Sequence, residues 1–153
     1  MYFTKMHGLG NDYIYVNGIT EHIREPERLA VRLSDRHFGV VADGLILILP
    51  SRRADFRMEI YNADGSIAEM CGNGIRCLAK YVYDRGLMKK KELIIETSSG
   101  MRRLRLETDK EDKISQVTVD MGYPIFQADK IPIISEHTRV VQEPISIRHM
   151  EYR

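Results

Sequence analysis

Residues 62–85 read NADGSIAEMCGNGIRCLAKYVYDR, and they hold both cysteines of the chain. Asn62-Ala63-Asp64-Gly65 is a tight-turn sequence, because Asp-Gly suits turns that need a positive φ. Cys71 is followed by Gly72-Asn73-Gly74, where missing side chains let the backbone approach a ligand closely. Ile75, Leu78, Ala79 and Val82 then recur at i, i+3, i+4 and i+7, the apolar stripe of an amphipathic helix. Gly86 stands where a helix takes its left-handed C′ residue. The spacing predicts a helix that begins just after Cys71.

That placement has chemical consequences. A helix N-terminus offers unpaired N–H groups and the positive end of a dipole. A thiol there is drawn toward the thiolate, the form that acts as base or nucleophile. The same N–H groups suit a carboxylate. Together they fit proton transfer at a carbon beside a carboxylate. The residues alone leave a second reading open, in which Cys71 is a small buried side chain and the glycines only make a loop.

The rest of the composition narrows the class. At 153 residues, 43% apolar and 29% charged, the chain has the make-up of one ordinary globular domain. A net charge of +1 gives no electrostatic case for nucleic acid or an anionic membrane. Lys89-Lys90-Lys91 is followed by Glu92 and reads as a solvated loop. No apolar run approaches the roughly 20 residues of a membrane helix. The N-terminus reads as a strand and not as a signal peptide, so two reduced thiols in a cytoplasm are expected.

Taken in order, Met1–Gly8 and Asp12–Val16 read as strands joined by the tight loop Gly8-Leu9-Gly10-Asn11. Asn11 either makes that turn or holds a carboxylate or amine. Pro26 suits a first helical turn, with Leu29, Ala30, Leu33 and His37 at helical spacing and Gly39 as the stop. His37 reads as a packed or capping histidine. Leu45–Leu49 is an unbroken apolar run fit for a buried strand. Asp55–Tyr61 alternates, with Phe56, Met58 and Ile60 on one face. Leu93–Glu96, Met101–Glu107 and Ile114–Met121 are further strands, and Val140-Val141 and Ile145–Met150 are weaker candidates. There is no repeat or internal boundary, so a single domain over 1–153 is expected. Many strands and one marked helix predict an α+β fold, a curved sheet around the helix face of Ile75, Leu78, Ala79 and Val82.

The stretch NADGSIAEMCGNGIRC resembles the signature of diaminopimelate epimerases. HGLGNDYIYVNG (residues 7–18), ADGLILILPS (42–51) and VDMGYPIF (119–126) resemble other segments of that family, in the same order. The resemblance implies a fold of two similar halves, each a barrel-like antiparallel sheet around one helix, with the active site in the cleft between them. It implies a cofactor-independent isomerase of lysine and peptidoglycan biosynthesis that interconverts LL- and meso-diaminopimelate. One cysteine removes the α-proton and a second returns a proton on the opposite face. On matching positions, Cys71 is implied as the catalytic acid/base, and Asn11, Asn62, Gly72 and Asn73 as substrate contacts, with no metal. Gly44 stands where some members of that family carry a polar side chain, so that contact is not carried over, and a contact at Asp43-Gly44 would run through backbone.

The resemblance places the second cysteine in a later segment, and no such motif occurs before Arg153. Cys77 does not replace it. Six helical steps turn about 600° and rise about 9 Å, so two thiols on one element cannot flank one carbon. Cys77 reads as a packed residue, and the Cys71/Cys77 spacing does not suit zinc. The expectation is an N-terminal half that works with a C-terminal half or a second chain, most simply in a homodimer. A non-catalytic carboxylate-binding or interaction module, and a related proline or hydroxyproline racemase, are the alternatives.

Overall fold

A computed structural model describes residues 1–152. Contacts divide the chain into two compact units, Met1–Met121 and the segment from Gly122 onward, where the sequence suggests one domain. The first unit holds every buried apolar residue among those described. The second is punctuated by Pro124, Pro132 and Pro144 and leaves Tyr123, Ile125, Ile134 and Ile145 exposed.

The first unit runs β1 (Thr4–Gly8), β2 (Asn11–Asn17), α1 (Pro26–Ser34), β3 (Gly44–Leu49), β4 (Phe56–Asn62), β5 (Ile67–Ala68), α2 (Gly72–Asp84), β6 (Glu92–Thr97), β7 (Gly100–Thr108) and β8 (Ile114–Val119). All eight strands form one sheet in the order β1-β2-β3-β4-β6-β7-β8, with β5 paired to β4. β1 and β2 are joined by Leu9-Gly10, both at positive φ, and Gly8 pairs with Asn11. That is the two-residue hairpin the sequence suggests.

The sheet curls around α2, and α2 also bridges its two outer strands. The Arg85 guanidinium donates to Thr4 Oγ1 of β1 at 3.0 Å. Lys80 Nζ donates to Ile114 O, and the Ile114 N–H donates to Asp84 Oδ1, at the start of β8. Tyr15, Ile46, Ile48, Met58, Ile60, Leu93 and Ile95 pack on Ile75, Leu78, Ala79 and Val82. Gly86 takes φ 72° just past the helix, as its sequence position suggests.

Two features depart from the sequence reading. The sheet is mixed, because β2 with β3 and β4 with β6 are parallel. Parallel neighbours need a crossover connection, and α1 and α2 supply the two crossovers. The second departure is α1, which ends at Ser34, short of His37 and Gly39. The Asp35 carboxylate accepts from the His37 and Phe38 N–H groups and folds the chain into a turn instead. α1 covers the opposite face of the sheet, where Ile14, Val16, Leu45, Leu47 and Tyr61 pack with Ala30. Strands β2 and β3 are thus buried on both faces, which explains the unbroken run at Leu45–Leu49.

In the second unit, β9 (Ile145–Ile147) and β10 (Met150–Tyr152) form a hairpin. Arg148 and His149, at φ 48° and 68°, make the turn, so Ile145–Met150 is two strands and not one. Val140-Val141 is not a strand.

Candidate functional site

Cys71 is the N-cap of α2, in extended backbone conformation. Its sulfur accepts from the Gly74 N–H at 3.2 Å, satisfying one of the open donors of the first turn. The thiol donates to Asn11 Oδ1 at 3.2 Å. Asn11 arrives from the β1–β2 hairpin, sixty residues away in the chain. Asn11 Nδ2 in turn donates to Asp43 Oδ2 at 2.6 Å, and the Asp12 N–H donates to the same oxygen at 3.1 Å.

The Tyr13 phenol of β2 lies near enough to Cys71 to sense charge on its sulfur. Burial pushes its pKa above the ordinary 10.0, and negative charge on the Cys71 sulfur adds to the shift. The Tyr15 hydroxyl donates to Gly74 O at 3.0 Å, so β2 holds the first turn of α2 in place. A Cβ on Gly74 would stand 2.7 Å from Ile46 Cδ1 and 3.3 Å from the Cys71 sulfur. Close docking of α2 on β3 is the reason for glycine there. Gly8 plays the same part on β1, where an added Cβ would meet Asn73 Cβ at 3.1 Å.

The other sequence candidates lie around this centre. Gly72 opens α2, with Met121 near enough to contact an added Cβ at 3.9 Å. Asn73 follows it, and its side-chain oxygen accepts from Arg76. Asn62 ends β4, and its amide donates to Ser66 Oγ at 2.9 Å within the Asn62–Ser66 turn. The structure therefore brings Asn11 to Cys71, sets Gly72 and Asn73 on the same helix end, and turns Asn62 to its own loop. At Gly44 a Cβ would stand 2.1 Å from Tyr61 O, so no side chain fits this backbone.

Cys77 is 8% exposed and packs in the core. Burial pushes its thiol above the ordinary 9.0, and the nearby Tyr15 hydroxyl opposes the shift. Neither a 680 Å³ cavity lined by Arg52, Arg103 and Arg105 nor a 240 Å³ cavity lined by His7, Cys77 and Lys80 reaches Cys71. Near the Cys71 end, Leu9 of the hairpin that carries Asn11 and Met121, which a Cβ on Gly72 would contact, are exposed. Among the described residues no group of His, Cys, Asp or Glu is placed to hold a metal ion. No helix among them is long and apolar enough to cross a membrane.

Two residues of the cluster escape sequence reading. Tyr13 looks like one position of an alternating strand. Asp43 sits in a loop and reaches Asn11 only because β2 and β3 pair in parallel, and the sole local signal is its place before Gly44.

A family model, diaminopimelate epimerase, matches residues 3–127. A diaminopimelate epimerase of Agathobacter rectalis is 55% identical over 159 residues, covering 99% of this chain and 55% of that protein. One of Acetivibrio thermocellus is 51% identical, covering 100% of this chain and 54% of that protein. The chain spans about half the length of the curated relatives it matches. Among solved structures, a hydroxyproline epimerase from Agrobacterium vitis superposes with a TM-score of 0.59 at 17% identity, over 76% of this chain and 40% of that one. A Bacillus anthracis phenazine biosynthesis protein of the PhzF family gives 0.57 at 22% identity, over 74% of this chain and 39% of that one. At such identities these two establish the fold alone.

Proposed function

The chain belongs to the diaminopimelate epimerase family, and on that premise we propose that it supplies one half of an epimerase site, with Cys71 as one of two acid/bases. The observation that carries the reading is the Cys71 sulfur at the N-terminus of α2, between the Gly74 N–H and the Asn11 amide. The substrate is diaminopimelate. The thiolate of Cys71 takes the α-proton and becomes a thiol, leaving the electron pair on the α-carbon. A thiol from the facing half gives its proton to the opposite face and becomes the thiolate. Protons and charge balance, and the reverse reaction exchanges the two roles. The developing carbanion needs fixed donors around the carboxylate. Open N–H groups at Gly72 and Asn73 supply them on this side, and Asn11 holds the substrate beside the sulfur.

Cys77 does not serve as the second acid/base, since it is buried on the same helix. The second thiol comes from a C-terminal half or from a second copy of this chain. The exposed apolar side chains of Leu9 and Met121 near this end suit such a surface.

The test is a coupled epimerase assay on the purified chain, alone and mixed with the C-terminal half of a full-length relative. Turnover is expected only in the mixture, and loss of it is expected with Cys71→Ser. Turnover by the chain alone would assign the second acid/base to a homodimer. Activity that survives Cys71→Ser would refute the reading.

A further inference from the structure

We infer that Asp43 is a positioning residue for Cys71, acting through the amide of Asn11. The inference rests on the reading of Cys71 as an acid/base. An asparagine amide has a donating and an accepting end, and its neighbours decide which end points where. An ionised carboxylate only accepts. Asp43 Oδ2 takes hydrogen bonds from Asn11 Nδ2 at 2.6 Å and from the Asp12 N–H at 3.1 Å. The donating end is thereby turned to Asp43, and Oδ1 is left facing the Cys71 sulfur. On that side the sulfur meets an acceptor, which favours the protonated thiol. On the other it meets the Gly74 N–H, which favours the thiolate. A group that must both take and give a proton needs this balance.

Asp43 is itself held in place. Its N–H donates to Asp12 O at 2.9 Å, and the Ala63 N–H donates to its carbonyl at 3.0 Å. The Asp12 carboxylate pairs with Lys5 at 2.9 Å, and Lys5 Nζ also donates to Val40 O and Val41 O. Val41 takes φ 58°, a conformation rare for a β-branched residue. Strain of this kind persists where surroundings fix it, and it gathers at functional sites. The other titratable groups that sense the Cys71 sulfur are Tyr13 and Tyr15 from β2 and Cys77 from its own helix.

The experiment measures the rate of Cys71 alkylation by iodoacetamide across the neutral pH range, read by mass spectrometry on the whole chain. Asp43→Ala frees the amide to rotate, so Nδ2 reaches the sulfur part of the time. Alkylation at neutral pH should then rise roughly two- to tenfold, the scale of one hydrogen bond. The pH profile should move to lower pH. Asn11→Ala should give a similar rise, and the double variant no more than either single one. Asp43→Asn keeps the shape and an accepting oxygen, and should restore the wild-type rate. Additive effects, or a wild-type rate in Asp43→Ala while Asn11→Ala differs, would overturn the inference. If wild-type Cys71 reacts no faster than Cys77, the acid/base reading fails instead.

Should Asp43→Ala not fold, the wild-type chain still decides. Its Asn11 side-chain NH2 resonance should move as acid protonates Asp43, and stay put in Asp43→Asn. A resonance unmoved in the wild type overturns the inference.

Discussion

Cys71 and Cys77 lie on one element, and the fold places them in different chemical worlds. Cys77 sits on the stripe side of α2, among Leu78, Ala79 and Tyr15, where burial disfavours its charge. Cys71 stands at the open end, half-buried, its sulfur contacted by an amide N–H and an asparagine side chain. One helix thus has a body that stabilises the fold and an end that is left for chemistry. Residue type alone does not separate the two thiols, and position on the helix does.

The comparison can be broken first at the body. Leu78 is fully buried against the sheet, so Leu78→Ala should cost about 2–5 kcal/mol in denaturant unfolding. Ile134→Ala, in the second unit and fully exposed, should stay within about 0.5 kcal/mol. Equal losses would mean that the core is not where the burial puts it.

Alkaline pH presses on the same body. Burial raises Cys77 above 9.0 and Tyr15 well above 10.0. The folded state therefore holds protons that the unfolded chain releases, and stability is full below about pH 9 and falls as pH rises further. Thermal melts from neutral to alkaline pH should show that fall, and Tyr15→Phe should soften it. A flat profile would contradict burial of these two groups.

Gly74 joins body and end, since it takes the Tyr15 hydroxyl on its carbonyl and donates its N–H to Cys71. In Gly74→Ala the new methyl meets the fully buried Ile46. A net loss of about 1 kcal/mol is expected once the better helix propensity of alanine is set against overpacking. Cys71 alkylation should change in the same variant. Unchanged stability and unchanged reactivity together would show that the close docking is not needed.

How much of this was legible follows the range of the interactions. The stripe of α2, its cap at Cys71 and its Gly86 stop are local, and so are the hairpin at Leu9-Gly10 and the alternation of β4. All of them show in short windows of sequence. The run Leu45–Leu49 was readable as buried, while its reason, a helix on each face, was not. The end of α1 does not show in the residue spacing, because Asp35 offers the backbone a turn that competes with further helix. Asp43 and Tyr13 were invisible as site residues, because parallel pairing of β2 and β3 places the first and a tertiary approach of α2 the second. Asn62 lies in the expected turn, yet its amide bonds to Ser66.

At the open end the smallest stability effect is expected. Serine is a better N-cap than cysteine, so Cys71→Ser should leave stability unchanged or raise it by up to about 1 kcal/mol. A clear loss would mean that Cys71 is held for packing.

The most direct measurement is brief treatment of the folded chain with iodoacetamide near neutral pH, followed by mass spectrometry of the two cysteine peptides. The account predicts that Cys71 is carbamidomethylated well before Cys77. Labelling of Cys77 first, or of both at one rate, would contradict it.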